Sequence, residues 1–309
     1  MPLTVGSVIV PGKLDGVHLG HQALLRHARS IADVQGVLVT ALTFDPHPIA
    51  VLAPERALPV LTSSKRKQEL LQFYGADRVI VQSFDDEFAK LDANAFIDKI
   101  LLSQLAAKAV VLGADFRFGA GRKGNVELLR QAGQSHGFSV HEVPAAQYQG
   151  HSVSSTQVRD ALAVGNIKRA NALLDRAYDI EGKVVPGAQR GRTLGFPTAN
   201  LAEVSTFLPA HGVYATVARR LKGPDAPLLL GVTNLGTRPT FEPNTSTIET
   251  HLFDFDQEIY GETLRVAFIA YLRPQRSFAN PGELRHQIGL DATHALSLLQ
   301  DSLAYCRAL

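Results

Sequence analysis

A single cysteine, Cys306, stands in the 309 residues. That excludes an intrachain disulfide and any zinc site built on cysteine pairs. It also suits a reducing compartment, so a cytoplasmic location is expected. No apolar run approaches the roughly 20 residues needed to cross a bilayer. Met1-Pro2-Leu3-Thr4 has neither the basic segment nor the cleavage site of a secretory leader, so no membrane partner is expected. Charge of one sign is scarce too. The net charge is only +2, and no basic or aromatic stripe marks a nucleic-acid surface.

What is there points to an ordinary globular chain of 45% hydrophobic residues, long enough for two domains. Up to about residue 175, apolar runs alternate with amphipathic segments. Val5–Val10, Gly36–Thr43, Arg78–Val81, Ala109–Gly113 and Phe138–Val143 read as strands. The stretches following Gln22, Ser63 and Asn94, and one after Gly124, read as helices. This alternation predicts a parallel sheet with helices on both faces, whose ligands bind beyond the C-terminal strand ends. After a junction at Asp175–Glu181 the pattern becomes short strands separated by Gly-, Pro- and Asn-rich turns, then a helix over Glu283–Ala304. That spacing predicts an antiparallel barrel with a closing helix. The expected domains are 1–176 and 177–309.

The first strand leads into Gly12-Lys13-Leu14-Asp15-Gly16-Val17-His18-Leu19-Gly20-His21. A glycine turn between a strand and a helix start offers backbone N–H groups and a helix dipole to an anion. His18 and His21 share a helical face and can donate to phosphoryl oxygens. Further on, Gly119-Ala120-Gly121-Arg122-Lys123-Gly124 matches a dinucleotide fingerprint in letters only. Five residues separate it from the strand, and Asn125 excludes a phosphate-binding P-loop. It is expected to be a mobile surface loop. Ser154-Ser155-Thr156-Gln157-Val158-Arg159 reads as a capped, hydroxyl-rich helix start with Arg159 one turn in.

In the second half, Gly182–Asn200 contains Gly187, Gly191 and Gly195, then Pro197-Thr198-Ala199-Asn200. The glycines allow close backbone approach to a phosphate. Alternation places Thr198 and Asn200 on one side of an extended chain, where a hydroxyl and an amide oxygen suit Mg²⁺.

These strings resemble the bacterial bifunctional riboflavin kinase/FAD synthetase family. His18-Leu19-Gly20-His21 resembles the HxGH signature of nucleotidylyltransferases. Gly113-Ala114-Asp115-Phe116-Arg117-Phe118-Gly119 and Ser154–Arg159 resemble the second and third motifs of the adenylyltransferase half. Gly191–Asn200, Gly231–Thr240, Ile248–Phe255 and Leu272–Phe278 resemble the riboflavin kinase motifs. The resemblance implies a Rossmann-like nucleotidylyltransferase domain and a barrel-shaped kinase domain. It implies riboflavin, FMN, FAD and ATP as small-molecule substrates and products, with Mg²⁺. Gly12, Asp15, Gly16, Asp115, Ser155, Thr156 and Arg159 would bind the ATP of adenylyl transfer, with His18 and His21 stabilising its α-phosphate. Gly187, Gly191, Gly195, Thr198 and Asn200 would bind the kinase ATP, Thr198 and Asn200 also its metal. Glu249 would be the general base, and Phe116 and Arg273 would contact flavin. Lys13 and Leu14 stand where the family usually has Asn or a small residue and then Phe, and Gln275 where it commonly has Glu. Two rival readings stay open. One is a kinase with a weak or lost adenylyltransferase half, the other a flavin- or nucleotide-binding regulator without turnover.

Overall fold

The structure is a computed structural model that describes residues 6–187, 190–223, 226–237, 246–299 and 306–309. The chain forms two compact units, Met1–Ser155 and Thr156–Leu309.

In the first unit, β1 (Ser7–Pro11) is buried along its length and feeds α1 (Leu19–Gln35). β2 (Leu38–Asp45), a short α2 (Pro48–Leu52), α3 (Ser64–Phe73) and β3 (Arg78–Ser83) follow. Then come α4 (Asp86–Ala89), α5 (Ala93–Ala95), β4 (Ala107–Gly113), α6 (Val126–His136) and β5 (Ser139–Val143). The five strands are all parallel, in the order β3-β2-β1-β4-β5. Their near-continuous apolar character is what a sheet covered on both faces requires. Ser63 caps α3 by accepting from Arg66 N at 3.1 Å, and Asn125 caps α6 by accepting from Leu128 N at 2.9 Å.

Two details differ from the sequence pattern. The helix expected from Asn94 to Leu105 is wound in wider turns over Phe96–Gln104, closed by Leu105 N donating to Ile100 O, an i→i+5 bond of 3.0 Å. The wider winding turns Phe96, Ile97, Ile100 and Leu101 onto the core. The Gly119–Gly124 segment lies at the surface, with Gly121, Arg122 and Lys123 exposed, but both its ends are anchored. Phe118 and Gly124 form an antiparallel bridge, and Phe118 is buried. A Cβ at Gly119 would stand 2.7 Å from Ala93 N, and one at Gly124 2.7 Å from the Phe118 ring.

The first unit ends in a two-stranded ribbon, β6 (Gln147–Tyr148) and β7 (His151–Ser152). α7 (Ser155–Ala163) and α8 (Ile167–Leu174) precede β8 (Tyr178–Val185), the single turn α9 (Arg190–Thr193) and β9 (Ala199–Ala202). β10 (Gly212–Arg220), β11 (Leu228–Thr237), β12 (Ser246–Leu252), β13 (Thr263–Arg273) and α10 (Pro281–Leu299) complete the second unit. Its strands close an antiparallel barrel in the order β10-β11-β12-β9-β8-β13. The predicted extension of the last helix to Ala304 lies outside the described residues, as do Arg238-Pro239-Thr240 of the middle kinase string.

Side-chain alternation assigns the two faces of the barrel. Thr216, Thr233 and Thr250 line up across three strands inside, joined hydroxyl to hydroxyl at 2.9 and 3.0 Å, and Phe268 and Tyr178 are fully buried. Val213, Ala215, Val217 and Val232 face out, where Ala295 and Leu299 of α10 cover them.

α8 is fastened to the barrel by Asn171. Its Nδ2 donates to Phe268 O at 2.9 Å and its Oδ1 accepts from Tyr178 N at 2.8 Å, both buried. Asn171→Ala strands a buried carbonyl and a buried N–H, each costing about 1–3 kcal/mol. The variant should lose roughly 2–6 kcal/mol in urea unfolding; a loss below about 1 kcal/mol would show that the barrel does not depend on this tie.

Candidate active sites

β1 is the strand at which the sheet order reverses: β2 lies on one side, β4 on the other. The crevice beyond its C-terminal end is where open α/β sheets bind ligands. The Gly12–His18 turn occupies that position. Gly12 N donates to Leu42 O at 2.9 Å, and Thr43 Oγ1 donates to Lys13 O at 2.9 Å. Leu14 is 1% exposed and lies at φ +51°. Gly16 is at φ +80°, and a Cβ there would stand 2.7 Å from Leu61 Cδ1, so glycine is required. The two residues that depart from the family's usual letters are therefore built into the turn, Leu14 by burial and Lys13 through its carbonyl.

Asp15 is 4% exposed. Its Oδ1 accepts from Leu61 N at 2.9 Å and Thr62 N at 3.4 Å, and its carbonyl accepts from Ser155 Oγ at 2.9 Å. Asp15 and Ser155 thus join three segments of the first unit around the turn. Thr156 and Arg159 follow on α7 in the second unit. Asp115 is exposed beside Gly113, after β4.

His18 is the N-cap of α1. Its Nδ1 accepts from Gly20 N at 3.2 Å, so Nε2 carries the ring proton in this arrangement. A Cβ at residue 20 would lie 3.0 Å from the His18 ring, which explains the glycine of the HxGH string. The His18 and His21 rings stack with centroids 3.7 Å apart and planes 22° apart. His21 Nδ1 is buried without a hydrogen-bond partner. Burial pushes the His21 pKa well below its usual value, and His18, Lys13 and Lys67 push it the same way. The pair therefore presents at least one neutral imidazole at a helix N-terminus.

Two features of this site were not read from the sequence. Lys67, in the basic triple Lys65-Arg66-Lys67, looks solvated, yet it is 7% exposed. Its Nζ donates to Phe44 O at 3.1 Å and Lys13 O at 3.5 Å. The signal was its spacing: Lys67 lies one turn before Leu70 and Leu71 and shares their buried face. The second feature is a row of phenylalanines. Phe44, Phe84, Phe88, Phe96, Phe118 and Phe116 touch in succession, with centroid distances of 5.3–6.4 Å. They come from four separate segments, so no local pattern announces them.

In the barrel, Glu249 pairs with Asn200 on one side and Asn234 on the other. Directly paired residues share a face, and Thr250 points inward, so these three side chains stand together on the outer face. Gln275 Nε2 donates to Asn234 Oδ1 at 3.1 Å and extends the row. The Gly187 backbone lies against Asn200, where a Cβ would be 2.2 Å from Nδ2. A Cβ at Gly191 would be 3.4 Å from Thr198 Oγ1, and Gly195 turns at φ +87°. Thr198 itself precedes β9. His251, two residues after Glu249, holds this segment: its Nδ1 is 2.8 Å from Pro197 O, and its ring meets Phe196 and Phe253 edge-on. The Arg273 guanidinium is gripped by both Asp291 carboxylate oxygens at 2.7–3.1 Å and lies 5.8 Å from the Phe278 ring.

Two family models match the chain: FAD synthetase over residues 2–157 and riboflavin kinase over residues 174–299. The bifunctional riboflavin kinase/FMN adenylyltransferase of Escherichia coli (strain K12) is 38% identical over 286 residues, 93% of this chain and 90% of that protein. The protein of the same description from Haemophilus influenzae (strain ATCC 51907 / DSM 11121 / KW20 / Rd) is 37% identical, over 94% of this chain and 93% of its own. Among solved structures, one described as a macrolide-efflux protein from Streptococcus pneumoniae superposes with a TM-score of 0.84 at 30% identity, covering 94% of both chains. Among the described residues of this chain, no helix is long and apolar enough to cross a membrane.

The neutral His21 gives stability a pH dependence. Its folded pKa lies below the unfolded value, so below about pH 6.5 the unfolded chain takes up a proton that the folded chain does not. Stability should fall on acidification, by up to about 1.4 kcal/mol per pH unit from this group. Urea unfolding at about pH 7 and about pH 5.5 should show a smaller acid loss in His21→Gln than in the wild type. Equal losses would contradict a histidine held neutral by burial.

Proposed function

The chain belongs to the bifunctional riboflavin kinase/FMN adenylyltransferase family, and from that premise we propose how its residues divide the two reactions. It phosphorylates riboflavin to FMN with ATP, and adenylylates FMN to FAD with a second ATP, releasing pyrophosphate. Residues 1–176 carry the adenylyl transfer and residues 177–309 the kinase. ATP as co-substrate of both reactions supports a cytoplasmic location.

In adenylyl transfer the FMN phosphate attacks the α-phosphorus of ATP as pyrophosphate leaves. Little covalent chemistry is asked of the protein, so catalysis is positioning and charge stabilisation. The stacked pair of His18 and His21 at the end of β1 carries this reading. Their ring N–H groups donate to the α-phosphoryl oxygens as negative charge builds there. Gly12 and Gly16 let backbone approach the phosphates, and Asp15 and Ser155 hold the turn that presents them. Thr156 and Arg159, next along the chain, grip the β- and γ-phosphates, and Asp115 contacts the nucleotide. Phe116, at the end of the phenylalanine row, offers a face to the flavin ring.

In the kinase reaction Glu249 accepts the riboflavin 5′-hydroxyl proton as that oxygen attacks the γ-phosphorus. The placement of Glu249 in register between Asn200 and Asn234 carries this reading. Gly187, Gly191 and Gly195 admit the ATP phosphates. Thr198 and Asn200 suit Mg²⁺ by their chemistry, one hydroxyl and one amide oxygen, and the Gly191 and Gly187 backbones lie directly against these two side chains. Bound there, Mg²⁺ would neutralise phosphate charge. Arg273, fixed by Asp291, lines the flavin side of this site with Phe278.

Glu249→Gln keeps the shape and removes the base. FMN formation should fall about 10²–10⁴-fold, while FAD formation from added FMN stays at the wild-type rate. Chromatography of both products checks this, and equal loss of the two activities would refute the assignment of separate sites.

A further inference from the structure

We propose that Lys67 is a positioning residue of the adenylyl-transfer site: its buried ammonium clamps the glycine turn to the end of β2 and sets a fixed positive charge beside His21. The inference rests on the reading of His18 and His21 given above and goes beyond it, because Lys67 belongs to none of the motif strings.

Three observations carry it. Lys67 Nζ bonds two carbonyls from different segments, Phe44 O at 3.1 Å and Lys13 O at 3.5 Å. Lys13 O also receives Thr43 Oγ1 at 2.9 Å, so this one carbonyl is held from two directions. The ammonium is buried, 7% exposed, as is the neighbouring Arg66 at 4%, while Lys65 of the same triple is exposed. A buried lysine at a strand-end crevice is expensive to keep charged and is a mark of a functional site. Burial lowers its pKa, while Asp15 and Asp45 favour the charged form.

The consequence for the reaction is electrostatic as well as geometric. Burial does most to hold His21 neutral, and Lys67 and Lys13 are the cationic neighbours that push the same way. A histidine held neutral gains most from a phosphate only as negative charge develops on it, which is the condition for stabilising a transition state more than a bound substrate. The clamp meanwhile keeps the turn from relaxing when that charge arrives.

Lys67→Met removes the bonds and the charge, Lys67→Gln removes the charge and keeps an N–H donor, and His21→Gln serves as the reference for the histidine reading. FAD formation from FMN, FMN formation from riboflavin and the pH profile of FAD formation are measured for each. Lys67→Met should lower kcat for FAD at least about ten-fold, leave FMN formation unchanged, and move the acid limb of the profile to higher pH, because His21 then protonates more easily. Lys67→Gln should recover part of kcat but keep the displaced acid limb, and it carries the test if Lys67→Met fails to fold. A wild-type rate and acid limb in Lys67→Gln would overturn the proposal. An unchanged rate in His21→Gln would overturn the histidine reading instead.

Discussion

The carbonyl of Lys13 is the point on which the first site depends. It receives the Thr43 hydroxyl and the Lys67 ammonium, while the neighbouring Gly12 N is bonded to Leu42 O. Those bonds fix the exit of β1, the strand where the sheet order reverses. Everything the site needs then follows along the chain: the Gly16 bend, the His18 cap and the start of α1. The proposed phosphate site of backbone N–H groups and two imidazoles would have few strong contacts of its own with the protein, so its precision would come from the strand ends that hold it. Leu14 belongs to the same economy. Its burial at positive φ closes the turn without the residue the family usually places there.

The barrel reaches a comparable result on a different frame. Closed antiparallel pairing forces neighbours in register to share a face, and that alone sets Asn200, Glu249 and Asn234 side by side. The inner face is sealed by a ladder of threonine hydroxyls and by aromatic rings, so Glu249 and His251 must point out. Glycine does the same work in both units. At Gly16 and Gly187 a single Cβ would collide with a neighbouring side chain, Leu61 in one case and Asn200 in the other, so each turn packs its bare backbone directly against its neighbour.

Much of this was legible in the sequence, and the reasons it was are particular. β1, β2 and β4 could be read because parallel strands buried on both faces are continuous apolar runs. α3 began where Ser63 could cap it. Glycine strings marked the two turns proposed to meet phosphate. Other features were not legible. Lys67 sits in a basic triple whose letters look solvated, and only the packing of α3 against the strand ends buries it. The six phenylalanines come from separate segments and meet only through topology. The Gly119–Gly124 loop has the composition of a flexible segment, yet Phe118 and Ala93 pin it. Arg273 could be named as a flavin contact, but its grip on Asp291, eighteen residues away on the closing helix, follows only from the fold.

The most direct test of two working sites in one chain is the stoichiometry of a single reaction. Purified protein is incubated with riboflavin, ATP and Mg²⁺, and flavins, ADP and pyrophosphate are measured together over time. The account predicts FMN first and FAD after it, with ADP equal to the sum of FMN and FAD formed and pyrophosphate equal to FAD alone. ADP and FMN without FAD or pyrophosphate would contradict it.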